Sequence, residues 1–166
     1  MQKKVFQLLA DNTSGVLSRI SGLFSRRGYN IESITAGVTA DPRYSRITIV
    51  TSGDDEVLEQ IEKQVAKLQD IRDIKELKPD ESVYRELALI KVKALPADRQ
   101  EIIAVTDIFR GKIVDVAPEC LIIEITGGIE KIDKFIALLE GHEILELART
   151  GMAGLGRGIE NVTYLP

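Results

Sequence analysis

The strongest candidate for a ligand-binding site is the stretch LADNTSGVLSRI, residues 9–20. An apolar run ends there in a polar turn with one glycine, and an amphipathic pattern begins directly after it. If Asn12 or Ser14 caps the helix, the backbone N–H groups around Gly15 and Val16 point outward at the positive end of the helix dipole. Because Gly15 has no side chain to block an approaching group, the turn suits a carboxylate. The alternative is a plain connection between a strand and a helix.

The apolar residues near this turn indicate which kind of molecule it would bind. Leu9, Val16 and Ile31 flank the turn and the helix that follows it, and all three are aliphatic. We therefore expect a small ligand with one anionic group and an apolar side chain.

Other candidates for catalytic or metal chemistry are isolated from one another. Cys120 lies in CLIIEI and His142 in EGHEI, on different predicted elements, so a nucleophile and base are not paired by spacing. No pair of His or Cys residues shows the spacing of zinc ligands. The glycine-rich segment GMAGLGRG, residues 151–158, does not open a helix within a βαβ unit, as a nucleotide-binding loop must. We expect it to be a flexible tail or one that a partner orders.

Arginine is clustered in only two places, Ser25–Arg27 and Asp41–Arg46. Both clusters fit solvated charges at a helix end and in a loop. The second cluster also fits a protein-docking surface, because Tyr44 lies between Arg43 and Arg46 and arginine is enriched at interface hot spots.

Composition restricts the class of protein. The chain has 166 residues, 44% hydrophobic and 29% charged, with a formal net charge of -4 and a pI near 5.2. This charge does not favour non-specific nucleic-acid binding. We expect no membrane span, because no apolar stretch approaches the roughly 20 residues that one needs, and no signal peptide. The single cysteine, Cys120, cannot form an internal disulfide, which fits the cytoplasm.

Periodicity predicts a βαββαβ order in the first half of the chain. Helical spacing of Val16, Ile20 and Phe24 predicts a helix that ends at Gly28. A second helix, from Asp54, has acidic residues first and lysines last, which suits the helix dipole. The predicted strands are Lys4–Ala10, residues 29–39, residues 46–53 and Ile71–Leu77, and the polar KPDES after them indicates a linker.

The second half repeats this order. The chain is therefore predicted to be an α+β protein of two tandem ferredoxin-like βαββαβ units, with one domain at residues 1–78 and the other at residues 79–166. The helices of this second half are predicted in ADRQEIIAVTDIFRG and IEKIDKFIALLEG. Its strands are predicted in YRELALIKVKAL, in KIVDVAPECLIIEITG, which is broken into two strands at Pro118, and in EILELART.

Two long segments carry a resemblance to a known family. DNTSGVLSRISGLFSRRGYNIESI and DPRYSRITIVTSGDDEVLEQIEKQVAKL closely resemble the N-terminal ACT domain of the small regulatory subunit of acetolactate synthase (acetohydroxyacid synthase). IFRGKIVDV and LARTG are similar to segments of that subunit's C-terminal domain. The resemblance covers nearly the whole chain and departs at Gly37 and in the second half of the tail.

The resemblance implies a cytoplasmic, non-catalytic protein of branched-chain amino acid biosynthesis. Such a subunit binds a larger catalytic subunit, raises its activity and makes it sensitive to feedback inhibition by valine or another branched-chain amino acid. It also implies that thiamine diphosphate, magnesium and FAD belong to the catalytic partner and that none is bound by this chain.

The resemblance further implies a homodimer with shared effector sites. In similar proteins two ACT domains pair side by side, and the effector lies between the strand-to-helix turn of one and the second strand of the other. This assigns Asn12, Gly15 and Val16 to the first side of the site and Asn30 and Ile31 to the second. Leu9 is expected to line the pocket.

Two other classes of protein fit less well. An acylphosphatase-type hydrolase of ferredoxin-like fold would need an arginine in the first strand-to-helix loop, where this chain has none before Arg19. An amino-acid-responsive transcription regulator would need a DNA-binding helix-turn-helix or a basic face, and the sequence indicates neither.

Overall fold

The first half of the chain forms a four-stranded antiparallel sheet in the order β2-β3-β1-β4. The computed structural model describes all 166 residues. The elements of this half are β1 (Gln2–Asp11), α1 (Val16–Arg27), β2 (Asn30–Val38), β3 (Tyr44–Gly53), α2 (Asp55–Ala66) and β4 (Ile71–Glu76).

The second half repeats the arrangement, with a sheet in the order β6-β7-β5-β8. A 3₁₀ turn at Pro79–Glu81 precedes it. Its elements are β5 (Ser82–Lys93), α3 (Arg99–Ile108), β6 (Lys112–Val116), β7 (Cys120–Gly127), α4 (Ile129–Leu138) and β8 (Ile144–Arg149), followed by β9 (Ala153–Gly156), which pairs with β5. The predicted α+β class, with two βαββαβ units, is confirmed.

Each unit has its own apolar core between one sheet face and its two helices. In the first unit alternate residues of β1, Phe6, Leu8 and Ala10, are buried under the helices. In the second unit Ala88, Ile90 and Val92 of β5 occupy the corresponding positions. This alternation follows from the two-residue period of a strand, which places every second side chain on the same face.

The helix boundaries have local causes. Gly28 ends α1 in the left-handed conformation, with φ of 67°, as its position predicted. Asp54 caps α2, because its side chain accepts the backbone N–H of Val57 at 2.9 Å. The longest helices contain 12 residues, and no helix in the structure is long and apolar enough to cross a lipid bilayer.

The two compact units of the structure do not meet at the expected boundary between residues 78 and 79. One unit consists of residues 1–84 together with residues 152–166, and the other of residues 85–151. The difference arises because the chain returns to the first unit after residue 151, so the C-terminal segment belongs with the N-terminal half.

The expectation that the glycine-rich tail is flexible or ordered by a partner is wrong for residues 152–156, which this chain orders itself. Met152 is buried, and the backbone oxygen of Gly154 accepts a buried hydrogen bond of 3.0 Å from Gln7 Nε2. A Cβ atom on Gly154 would lie 2.8 Å from Leu77 Cδ1, so glycine is required for this close approach.

Candidate functional site

The turn between β1 and α1 forms one wall of a cleft of about 340 Å³. The hairpin of β2 and β3 also lines the cleft, through Ser45 and through Ala36 and Ile47, which are directly paired in the sheet. The lining residues are Asp11, Asn12, Thr13, Ser14, Gly15, Val16, Leu17, Ser18, Ala36, Ser45 and Ile47. The cleft therefore combines a helix N-terminus with aliphatic and hydroxyl side chains, and its one acidic residue, Asp11, is paired with Arg72 at 2.7 Å.

The N-terminus of α1 is left without a side-chain cap. Gly15 itself occupies the N-cap position with φ of 85°, and the first turn of the helix contains no acidic residue. By contrast, the first turn of α2 contains Asp55 and Glu56 in addition to its Asp54 cap. The first turn of α1 therefore supplies no carboxylate to compensate the positive end of its dipole, which favours an anion in the cleft.

The expectation that Asn12 or Ser14 caps α1 is wrong. The side chain of Asn12 is used elsewhere, since its Nδ2 donates to the backbone oxygen of Pro42 at 2.8 Å. Its backbone N–H also donates to the oxygen of Arg43 at 2.8 Å. A carbonyl can only accept, so the amide nitrogen must face Pro42, and Oδ1 is the atom of this side chain that remains as an acceptor.

Arg19 lies beside the turn and is paired with Asp70. Its Nε and Nη2 donate to the two carboxylate oxygens at 2.5 and 2.9 Å, and Nη2 lies 3.4 Å from the backbone oxygen of Ser14. The hydrogen bond from Arg19 lowers the pKa of Asp70 below its ordinary value. This bidentate pair holds the guanidinium, so Arg19 is not the free anion-binding arginine that an acylphosphatase-type loop would need.

The structure brings three of the six predicted site residues together and separates the others. Asn12, Gly15 and Val16 line the cleft. Leu9 does not line it, because its neighbours Leu8 and Ala10 face the helices and Leu9 is buried on the opposite face of β1.

Asn30 and Ile31 lie at the other end of α1 from the cleft. The 12-residue helix spans about 18 Å at about 1.5 Å per residue. Asn30 is exposed, and its Nδ2 lies 3.4 Å from Ser52 Oγ, whereas Ile31 packs against the core of its own unit. Within one chain, these two residues are not part of the cleft.

Eight of the eleven lining residues were not predicted as site residues, and three of these eight, Ala36, Ser45 and Ile47, come from the hairpin of β2 and β3. They enter the cleft through the register of β2 against β3, in which Ile47 faces the helices on alternate positions with Ile49. The alternation in RITIVTSG carries this signal for Ile47, but the sequence does not report which hairpin residues meet the turn. Gly37 pairs with Arg46, one position away from the lining residue Ala36.

The other candidates of the sequence have local roles. Arg43 donates to both carboxylate oxygens of Asp41 and its guanidinium carbon lies 5.5 Å from the centre of the Tyr44 ring. His142 Nε2 lies 3.6 Å from a Glu101 oxygen, and Cys120 is a free, half-buried cysteine on β7. No group of three or more His, Cys, Asp or Glu residues is arranged to hold a metal ion.

The fold and the cleft together define a class: two tandem ferredoxin-like units, of which the first is an ACT domain. A family model for the ACT domain of acetohydroxyacid synthase small subunits matches residues 6–73, and one for the small subunit of acetolactate synthase matches residues 85–158. The chain belongs to the family of acetolactate synthase small subunits.

Individual relatives agree with this assignment. A probable acetolactate synthase small subunit of Methanothermobacter thermautotrophicus is 50% identical over 93% of this chain and 92% of its own length. The isozyme 3 small subunit of Salmonella typhimurium is 47% identical over 94% and 96%. The crystal structure of the Thermotoga maritima small subunit superposes with a TM-score of 0.88, at 43% identity, over 95% of this chain and 99% of that one.

Proposed function

We propose that this chain is a non-catalytic regulatory subunit that binds the larger catalytic subunit of acetolactate synthase. It activates that subunit and makes it sensitive to feedback inhibition by valine or another branched-chain amino acid. Membership of the small-subunit family supports the catalytic partner. The main observation that supports effector binding is the uncapped N-terminus of α1 at the wall of a partly aliphatic cleft.

The effector binds through its two charged groups and its side chain. Its carboxylate lies at the N-terminal amides of α1, where Gly15 leaves room for it. Its ammonium group donates to Oδ1 of Asn12, the atom that the hydrogen bond to Pro42 leaves as an acceptor. Its apolar side chain lies toward Ala36 and Ile47.

A second protomer completes each site. Strand β2 is outermost in its sheet, and on it Ile34 and Val38 are 37% and 63% exposed. An exposed apolar edge strand is a site for pairing with another chain. Side-by-side pairing of two such edges gives a homodimer in which Asn30 and Ile31 of one protomer approach the cleft of its partner. Leu9 then supports β1 from its buried face.

The chemistry of the reaction belongs to the catalytic subunit. We expect thiamine diphosphate, magnesium and FAD on that partner, in the cytoplasm, and this chain has the role of binding the effector. A ligand shifts the activity of the partner only through its different affinities for the two states of the complex.

Reconstitution tests the proposal. The purified chain alone should form no acetolactate from pyruvate, and adding it to the purified catalytic subunit should raise turnover. Valine, leucine and isoleucine are then titrated separately, and at least one should inhibit the complex while leaving the isolated catalytic subunit unaffected. Unchanged turnover and unchanged inhibition in the mixture would contradict the proposal.

A further inference from the structure

Two cations on the first sheet have no carboxylate partner. The strands β1 to β4 carry five basic residues, of which Lys3, Lys4 and Arg72 have a carboxylate oxygen within 4.0 Å. No such ion pair exists for Arg46 on β3 or Lys75 on β4. Their positive charges are therefore not neutralised by direct pairing.

These two cations lie close together on the sheet face opposite α1 and α2. Leu9 of β1 is paired with Arg46 of β3 on one side and with Asp73 of β4 on the other, and Gln7 of β1 is paired with Lys75 of β4. Because paired residues direct their side chains to the same face of a sheet, Arg46 and Lys75 share the face on which Leu9 and Gln7 are buried. Burial lowers the pKa of Arg46, and burial together with the charge of Arg46 lowers the pKa of Lys75. The charge of Asp73 raises the pKa of both groups, but one carboxylate does not balance two partly buried like charges, which favours a further anion.

The C-terminal segment supplies only weak compensation. Lys75 Nζ donates to the backbone oxygen of Asn161, and Arg46 Nη2 lies 3.5 Å from the backbone oxygen of Thr163. Both acceptors are neutral carbonyls. The nearby carboxylate of Asp73 accepts from Thr163 Oγ1 at 3.1 Å, so one acidic group serves two cations.

We propose that Arg46 and Lys75 form a binding site for a small anion with a carboxylate or phosphate group, and that residues 161–163 cover it. With the segment in place there is no room for such an anion: the cavity beside Lys75 and Asn161 has about 20 Å³, holds about one water molecule, and is lined by Glu76 and Glu81 but not by Arg46. The anion therefore enters when the segment moves away, and the two compete for the same cations. By thermodynamic linkage, a bound anion weakens the docking of the segment by the same factor by which the docked segment weakens anion binding.

Hydrogen exchange on the full chain tests this competition. Backbone amides of residues 157–166 are followed by mass spectrometry in sodium phosphate, sodium acetate and sodium chloride at one pH and ionic strength. Phosphate, acetate or both should accelerate exchange in this segment relative to chloride. Acceleration by phosphate alone identifies a phosphate site, and acceleration by acetate as well identifies a general carboxylate and phosphate site. Equal exchange in all three salts would overturn the proposal and leave the cations as anchors of the tail.

Matched variants connect the effect to the two cations. Lys75→Gln and Arg46→Gln should each weaken the anion response by about tenfold, since each removes one charge-assisted hydrogen bond. Lys4→Gln, which removes a β1 lysine paired with Glu76, should retain the wild-type response. A response that survives in both Lys75→Gln and Arg46→Gln would also overturn the site. Because the wild-type comparison needs no variant, it remains decisive if one substitution prevents folding.

Discussion

Asn12 and Pro42 join two segments at the cleft through a hydrogen bond of 2.8 Å from the side-chain Nδ2 of Asn12 to the backbone oxygen of Pro42. This bond links the strand-to-helix turn to the loop between β2 and β3. The backbone bond from Asn12 to Arg43, also 2.8 Å, strengthens the same connection. The position of the turn is therefore coupled to the position of the hairpin.

Asn12→Ala should weaken effector binding while preserving the fold. Loss of the Pro42 hydrogen bond should lower the free energy of unfolding by about 1 kcal/mol, and loss of Oδ1 should reduce valine affinity by about tenfold. Calorimetric titration and thermal unfolding measure the two effects. Gln69→Ala, an exposed amide substitution in the same unit, is the control and should change neither. Normal valine affinity in Asn12→Ala would remove this side chain from the site.

Gly15 is best tested with two substitutions of nearly equal size. Its φ of 85° disfavours other residues, and an added Cβ would lie 2.8 Å from Arg19 Nη1, so every substitution here carries strain. Asn and Asp tolerate this conformation better than most residues, so Gly15→Asn and Gly15→Asp should be destabilised similarly. Comparing the two variants therefore separates charge from strain.

The charge effect should be large. A carboxylate about 4 Å from that of the effector costs about 4 kcal/mol at an effective dielectric near 20, or about a thousandfold in affinity. Calorimetry should therefore show much weaker valine binding to Gly15→Asp than to Gly15→Asn. Similar affinities in two folded variants would show that the ligand carboxylate is not at this turn.

A shared site predicts recovery of binding in mixed dimers. Gly15→Asp and Asn30→Ala homodimers should each bind the effector poorly. In a mixed dimer one site receives both changes and the other receives neither. Random exchange should therefore recover about a quarter of the wild-type capacity at near wild-type affinity. Calorimetry on verified mixed dimers with no recovered capacity would instead leave Asn30 with a structural role in β2.

The Arg19–Asp70 pair predicts an acid-dependent contribution to stability. Because Arg19 lowers the pKa of Asp70 below its ordinary value, the contribution is present above the unfolded-state pKa and is lost as the pH falls through the lower folded value. The stability difference between wild type and Asp70→Asn should therefore be constant near neutral pH and disappear in strong acid. Chemical unfolding between pH 7 and pH 2 measures it. A difference that persists at the acid end would show that another property of Asp70 is responsible.

Arg149 should stabilise the second unit by neutralising a buried carboxylate. Glu86 is buried and accepts from Arg149 at 2.8 and 3.0 Å, and these bonds raise the pKa of Arg149. Arg149→Met should lower the free energy of unfolding by about 3 kcal/mol, because it leaves that charge unpaired. The double variant Arg149→Met/Glu86→Met should recover much of the loss. Glu146→Gln, at the exposed pair with Lys91, should cost under about 1 kcal/mol.

The sequence determined the succession of elements and the location of the turn. Strand alternation, helical spacing and glycine positions act on neighbouring residues, so the order βαββαβ and the end of α1 at Gly28 could be predicted without knowing any distant contact. The placement of Gly15 beside the helix N-terminus was also local, and the structure retains it.

Tertiary structure decided which distant groups meet that turn. Asn12 or Ser14 was expected as the cap of α1, but the side-chain amide of Asn12 donates to the carbonyl of Pro42, 30 positions away, and Gly15 is the N-cap. Ala36 and Ile47 reach the cleft through strand register. The tail covers Arg46 and Lys75 because the chain returns to the first sheet after its second unit. These contacts depend on competition between hydrogen-bond partners far apart in sequence, which local residue preferences do not encode.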